Sequence, residues 1–238
     1  MEMKLLLREP IVLLFGVALP VVLLAVFGNL AMMKTPDPNL GGLRVLDVYL
    51  PPLISVTITM LGLSTISAVL SNYRERGILK RLATTPAKPL TLLLAEMVVH
   101  LVVMAVTVAL LLVVGIGLMD IPAPKDFAGF VVAFVLAAAS VFAIGLLVAA
   151  MAPNARAGSG LGSILFFPVV FFAGLWTPGP AMPEILRQIA VFTPLGAGSQ
   201  AMQAAWDGDW WQPLRLGVMV VYAVGGCLAA SKLFRWTS

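Results

Sequence analysis

Charge is scarce in this chain. Asp, Glu, Lys and Arg make up 11% of its 238 residues, less than half the roughly 25% of an ordinary soluble domain. That scarcity excludes a water-soluble globule of the usual kind. Cysteine and histidine are scarcer still, with one of each. A lone cysteine forms no internal disulfide, and the place of Cys227 in an apolar run reads as a small packed residue. The lone His100 leaves no His-rich metal site, and no C-x-x-C spacing occurs. No G-x-x-x-x-G-K-[ST] loop is present to cradle nucleotide phosphates. Gly158-Ser159-Gly160 lacks the spacing and strand context of a nucleophile elbow. No catalytic constellation and no metal cluster remain, so enzyme chemistry in this polypeptide is not expected.

What the chain has is apolar length. Its mean hydropathy is +1.03 and 61% of its residues are hydrophobic, which places it in the membrane class. Continuous apolar runs, in place of short alternating ones, exclude a β-barrel and point to α-helices that satisfy their own backbones in lipid. The runs predict six spans, at residues 11–30, 48–70, 90–119, 127–151, 157–176 and 213–233. The first run is too long for a signal peptide and lacks an A-x-A site, so it reads as a retained helix. The net charge of +4 and pI near 9.5 do not indicate a nucleic-acid partner, because the cations sit at helix ends without interleaved aromatics.

Charge also sets the orientation. With the N-terminus inside, ten cations are cytoplasmic: Lys4, Arg8, Arg74, Arg76, Lys80, Arg81, Lys88, Arg156, Lys232 and Arg235. The other five of the fifteen (Lys34, Arg44, Lys125, Arg187 and Arg215) lie outside. The positive-inside rule therefore favours both termini in the cytoplasm. The fold expected is an all-α polytopic membrane protein, a single transmembrane domain over 1–238. Residues 177–212 form an outer connection that Pro178, Pro180, Pro183 and Pro194 break up. Short helices are predicted there at 182–192 and 197–206, at the outer interface or dipping into it.

Between the second and third spans lies YRERGILKRLATTP, residues 73–86. At about 100° per residue, Ile78, Leu79 and Leu82 form an apolar stripe with Glu75 on the same side. Arg74, Arg76, Lys80 and Arg81 occupy the rest. Asn72 stands as an N-cap, Glu75 follows in capping-box spacing, and Thr84-Thr85-Pro86 ends the helix. A helix of about ten residues across the membrane face is predicted. An ordinary positive-inside loop would explain the charge, but it does not require the stripe.

The segment YRERGILKRLATTPAKPLTLLLAE resembles the loop between the second and third helices of ABC-2-type transporter permeases. FFPVVFFAGLWTPGPAMPEILRQIAVFTPLGAGSQAMQ resembles that family's fifth helix and outer hairpin, and LLLREPIVLLFGVALPVVLL its first helix. The resemblance is nearest to daunorubicin-resistance-type drug exporter membrane subunits. It implies six helices, a dimer with a second permease copy, and two separate ABC ATPase subunits that bind ATP and Mg, with no cofactor in this chain. It further implies a bacterial inner-membrane location and an amphipathic small molecule as cargo. In that family the loop is a coupling helix that docks on the ATPase. Carried over, the coupling residues are Arg74, Glu75, Arg76, Gly77, Ile78, Leu79, Lys80, Arg81 and Leu82. One departure stands out: members usually begin with a longer amphipathic helix, whereas about ten residues precede the first span here.

Three features bear on a substrate path. The second span carries Thr57, Ser64, Ser67 and Ser71 on one face, which either packs on another helix or lines a polar route. The fifth span offers Phe166, Phe167 and Phe171 around Pro168, placed to hold a flat apolar molecule or simply to face lipid. On the third span Glu96 and His100 stand four apart, so their side chains meet. A carboxylate within a span attracts a cationic substrate or makes an interhelical hydrogen bond. Gly158-x-x-x-Gly162 permits close helix approach. The rival functions are polysaccharide or lipid export by the same family, proton-coupled secondary transport through Glu96 and His100, and a non-transporting scaffold.

Overall fold

A computed structural model describes residues 14–40, 42–75 and 89–233. The regular elements among these residues are all helical, with no strand. A π-helical turn at Leu14–Ala18 leads into α1 (Leu19–Asn29), and a short α2 (Ala31–Lys34) follows. The second span is built from α3 (Leu50–Thr59), a π-helical segment at Met60–Thr65, and α4 (Ile66–Glu75). Next come α5 (Pro89–Met119), α6 (Phe127–Met151) and α7 (Ala155–Phe172). The connection after α7 holds α8 (Glu184–Val191) and α9 (Pro194–Asp207), and α10 (Pro213–Leu233) closes the described chain.

Among the described residues, five helices are long and apolar enough to cross a membrane: Leu50–Tyr73, Ala95–Met119, Phe127–Met151, Ala155–Phe172 and Pro213–Leu233. The apolar helix Gly16–Asn29 is shorter. The protein is therefore a multi-pass membrane protein. The fifth span ends four residues before the expected 176, because the chain turns at Gly174, whose φ of +92° suits glycine.

Helix ends follow local chemistry. The Asp126 carboxylate accepts from the Gly129 N–H (2.8 Å) to start α6, and Asn154 accepts from the Ala157 N–H (2.8 Å) to start α7. Thr193 caps α9 with Pro194 in its first turn, and Gly208 in the left-handed conformation ends it. Arg44 serves the C-terminal end of α5. It donates to the carbonyls of Asp120 (2.7 Å) and Met119 (3.4 Å) while paired with Asp47. The cation meets the negative end of the helix, and its hydrogen bond to Asp47 holds the guanidinium pKa above its ordinary value.

The core lies around the second span. Leu50, Leu53, Ile54, Ile58, Leu61, Leu63 and Ile66 are all fully buried. α6 packs along α10 and α9 on one side and along α4 on another. In the connection between α7 and α10, α9 is itself core: Leu195, Ala201, Met202 and Ala205 are buried. The Trp206 indole N–H, also buried, donates to the Pro122 carbonyl (2.6 Å). Cys227 corrects the sequence reading, since it is exposed. α10 packs through a narrow stripe of Met219, Gly226 and Ala230, and Cys227 falls outside it.

Candidate functional site

The C-terminal end of the second span differs from the capped surface helix that the sequence suggests. α4 runs unbroken through Asn72 to Glu75, so Asn72 is helix interior and starts nothing. No glycine or proline interrupts Ile66–Glu75, and two side chains anchor its last turn. The Tyr73 hydroxyl donates to Glu96 Oε1 at 2.7 Å. Glu75 Oε2 accepts from the Ala155 N–H at 2.8 Å, placing a carboxylate at the positive end of α7. Glu75 thus caps α7 across space and not its own helix. Asn72, Glu75, Asn154 and Arg156 line a notch of about 480 Å³ at this end. Arg74 lies on α4. Arg76, Gly77, Ile78, Leu79, Lys80, Arg81 and Leu82 lie outside the described residues.

Glu96 and His100 do meet. The ring Nδ1 of His100 sits 2.8 Å from the Glu96 backbone carbonyl and 3.6 Å from Glu96 Oε2. A carbonyl only accepts, so this contact puts a proton on Nδ1. His100 is fully buried, Glu96 nearly so. His100 Nε2 has no hydrogen-bond partner among the described residues, and the Phe142 ring lies edge-on 6.4 Å away. Sequence reasoning gave Tyr73 no role of its own. Its hydroxyl joins the second span to the third.

The hydroxyl face of the second span is closed by packing. Thr57 and Ser67 are fully buried, and Ser64 is partly buried. The Ser67 hydroxyl donates to the Gly145 carbonyl of α6 (3.0 Å), while the Thr57 hydroxyl turns back to Leu53 (3.4 Å). Neighbouring glycines make the approach possible. A Cβ on Gly145 would lie 2.2 Å from the Gly62 carbonyl oxygen, one on Gly158 would lie 2.2 Å from Ser71 Oγ, and one on Gly162 would lie 3.3 Å from Ser64 Cα. The G-x-x-x-G pair of α7 therefore fits against Ser64, Ser67 and Ser71. The glycine partner on α6, Gly145, was not singled out from the sequence.

Against this geometry stands a family comparison: the model of the ABC-2 type transporter family matches residues 1–205. The chain belongs to the ABC-2 type transporter family. Comparison with curated proteins gives no match. An ABC-2 membrane domain makes this chain the permease subunit of an ABC transporter and implies partner ABC ATPase subunits.

Within the permease, the aromatics of α7 stand apart from the hydroxyl face. Phe167 and Phe171 are exposed and Phe166 is partly buried. Phe166 packs edge-to-face on Phe167 (5.6 Å), and Phe171 on Phe172 (5.4 Å). Among the described residues, no group of three or more His, Cys, Asp or Glu is placed to hold a metal ion.

Proposed function

We propose that this permease exports drugs or other lipophilic, amphipathic small molecules from a bacterial cell across the inner membrane. It works as a homodimer with two ABC ATPase subunits, which bind ATP and Mg and supply the energy. The chain forms one ABC-2 domain over 1–238, with six spans and both termini cytoplasmic. The loop after Glu75 is the coupling helix, docking on the ATPase through Arg76, Gly77, Ile78, Leu79, Lys80, Arg81 and Leu82, with Arg74 and Glu75 at its root. Thr57, Ser64, Ser67, Glu96, His100, Phe166, Phe167 and Phe171 border the substrate path. Hydrolysis moves the loop and opens the packed hydroxyl face.

One observation carries this reading beyond the family match. Glu75, the last described residue before the loop, holds the N-terminus of α7. A push on the loop therefore reaches the second and fifth spans together. Drug uptake into inverted vesicles containing the permease and its ATPase tests this. Glu75→Ala or Gly77→Pro lowers ATP-driven uptake at least tenfold while the permease stays in the membrane. Unchanged uptake in both variants would reduce the loop to an orientation signal.

The Tyr73–Glu96–His100 cluster, with Glu96 and His100 buried, favours a second reading, proton-coupled transport. Uptake driven by a proton gradient with no ATP would establish it in place of the first.

A further inference from the structure

A cavity of about 350 Å³ opens beneath the outer hairpin, at the end of the fold away from Glu75. Arg187 on α8, Gln200 and Gln203 on α9, and Arg215 on α10 form its polar walls. Pro52 and Phe172 supply apolar lining from the second and fifth spans. Gln200 ties the walls together. Its side-chain amide donates to the Arg187 carbonyl (3.0 Å), and its backbone carbonyl accepts from Arg215 (3.4 Å).

The charges in the lining are not equivalent. Arg187 is paired with Glu184. Asp209 accepts from the Gln212 amide at 2.7 Å, and Asp207 lies 3.5 Å from the Gln203 amide. Both aspartates are exposed. Arg215 is partly buried and has no carboxylate within ion-pair distance among the described residues. A guanidinium offers five N–H donors in a fork that fits an oxyanion. Here the one contact described to a protein acceptor is long. The cavity thus presents a cation with no direct ion pair beside apolar walls, while Asp209 of the same lining acts on it at longer range.

We propose that this cavity binds the anionic head group, a phosphate or carboxylate, of an amphipathic molecule. Arg215 grips the oxyanion, Arg187 assists at the rim, and the tail lies along Pro52 and Phe172. The head group comes either from a bilayer lipid or from the transported molecule. The site rests on its own geometry and needs no ATP-driven cycle, so its failure would leave the export reading untouched.

Calorimetry on the purified full chain in a neutral maltoside detergent tests the site. Dodecyl phosphate binds, and Arg215→Gln weakens it at least tenfold. Arg187→Gln weakens it about threefold, while dodecyltrimethylammonium binding is unchanged by either. Equal dodecyl phosphate affinity in Arg215→Gln, or tighter binding of the cationic detergent, overturns the proposal. Should Arg215→Gln fail to fold, Arg215→Lys replaces it. It keeps the charge but loses the fork, so a severalfold weakening supports the site and an unchanged affinity overturns it. Nanodiscs separate the sources. Loss of dodecyl phosphate binding in phosphatidylglycerol but not phosphatidylcholine discs assigns the site to lipid head groups. Equal binding in both assigns it to a free amphipath.

Discussion

In the span Leu50–Tyr73, 72% of the apolar stretch is buried inside the fold, whereas in Pro213–Leu233 the share is 11%. Both are apolar helices of spanning length, and both contain glycines. The second span is wedged against α6 and α7 by small residues and a cross-helix hydrogen bond. The last span touches α6 along one stripe, where a Cβ on Gly226 would lie 2.8 Å from Ala143 Cβ. Its other faces carry Val220, Val221, Val224 and Leu228, all exposed. Lipid is as apolar as valine, so hydrophobicity does not decide which helix goes inside. Close backbone approach and interhelical hydrogen bonds do.

The contrast is broken most severely at Gly145. A side chain there meets the Gly62 backbone, which has no rotamer to yield. Gly145→Val costs about 3 kcal/mol, and thermal unfolding in detergent reads it as a large drop in melting temperature. Gly158→Val meets Ser71, whose hydroxyl can rotate away while its Cβ, 2.8 Å off, must shift. Its cost is about 1–2 kcal/mol by the same measurement. Ser67→Ala removes the bond to the Gly145 carbonyl. About 0.6 kcal/mol is expected, the average for interhelical hydrogen bonds in a membrane protein. The smallest effect belongs to the last span. Val221, 70% exposed, should tolerate Val221→Ala within about 0.5 kcal/mol. A loss above 1 kcal/mol there would mean that another protein surface covers this face, and crosslinking between copies would identify it.

Much of the fold is legible in the residues. Uninterrupted apolar runs and the prolines between them mark the bounds of α6 and α10, and the two short helices expected between the last two spans match α8 and α9 within a few residues. The pairing of Glu96 with His100 follows from helical spacing alone. What spacing along one helix cannot reveal is a partner on another. Asn72 and Glu75 form a sound capping pair in isolation, yet Glu75 caps α7, 80 positions away in sequence. Tyr73 looks like any interfacial aromatic until Glu96 lies beneath it. Cys227 sits in an apolar run that suggests packing, but its rotation about α10 turns it outward.

The sequence by itself determined the membrane class, five of the spans and the family, because apolar length and motif strings are local properties of the chain. Only the tertiary structure decided which hydroxyls are closed by packing, which carboxylate caps which helix, and that Arg215 faces a cavity without a direct ion pair among the described residues. Those outcomes depend on how helices rotate and approach. In lipid that choice is made by small residues and polar contacts between segments far apart in the chain.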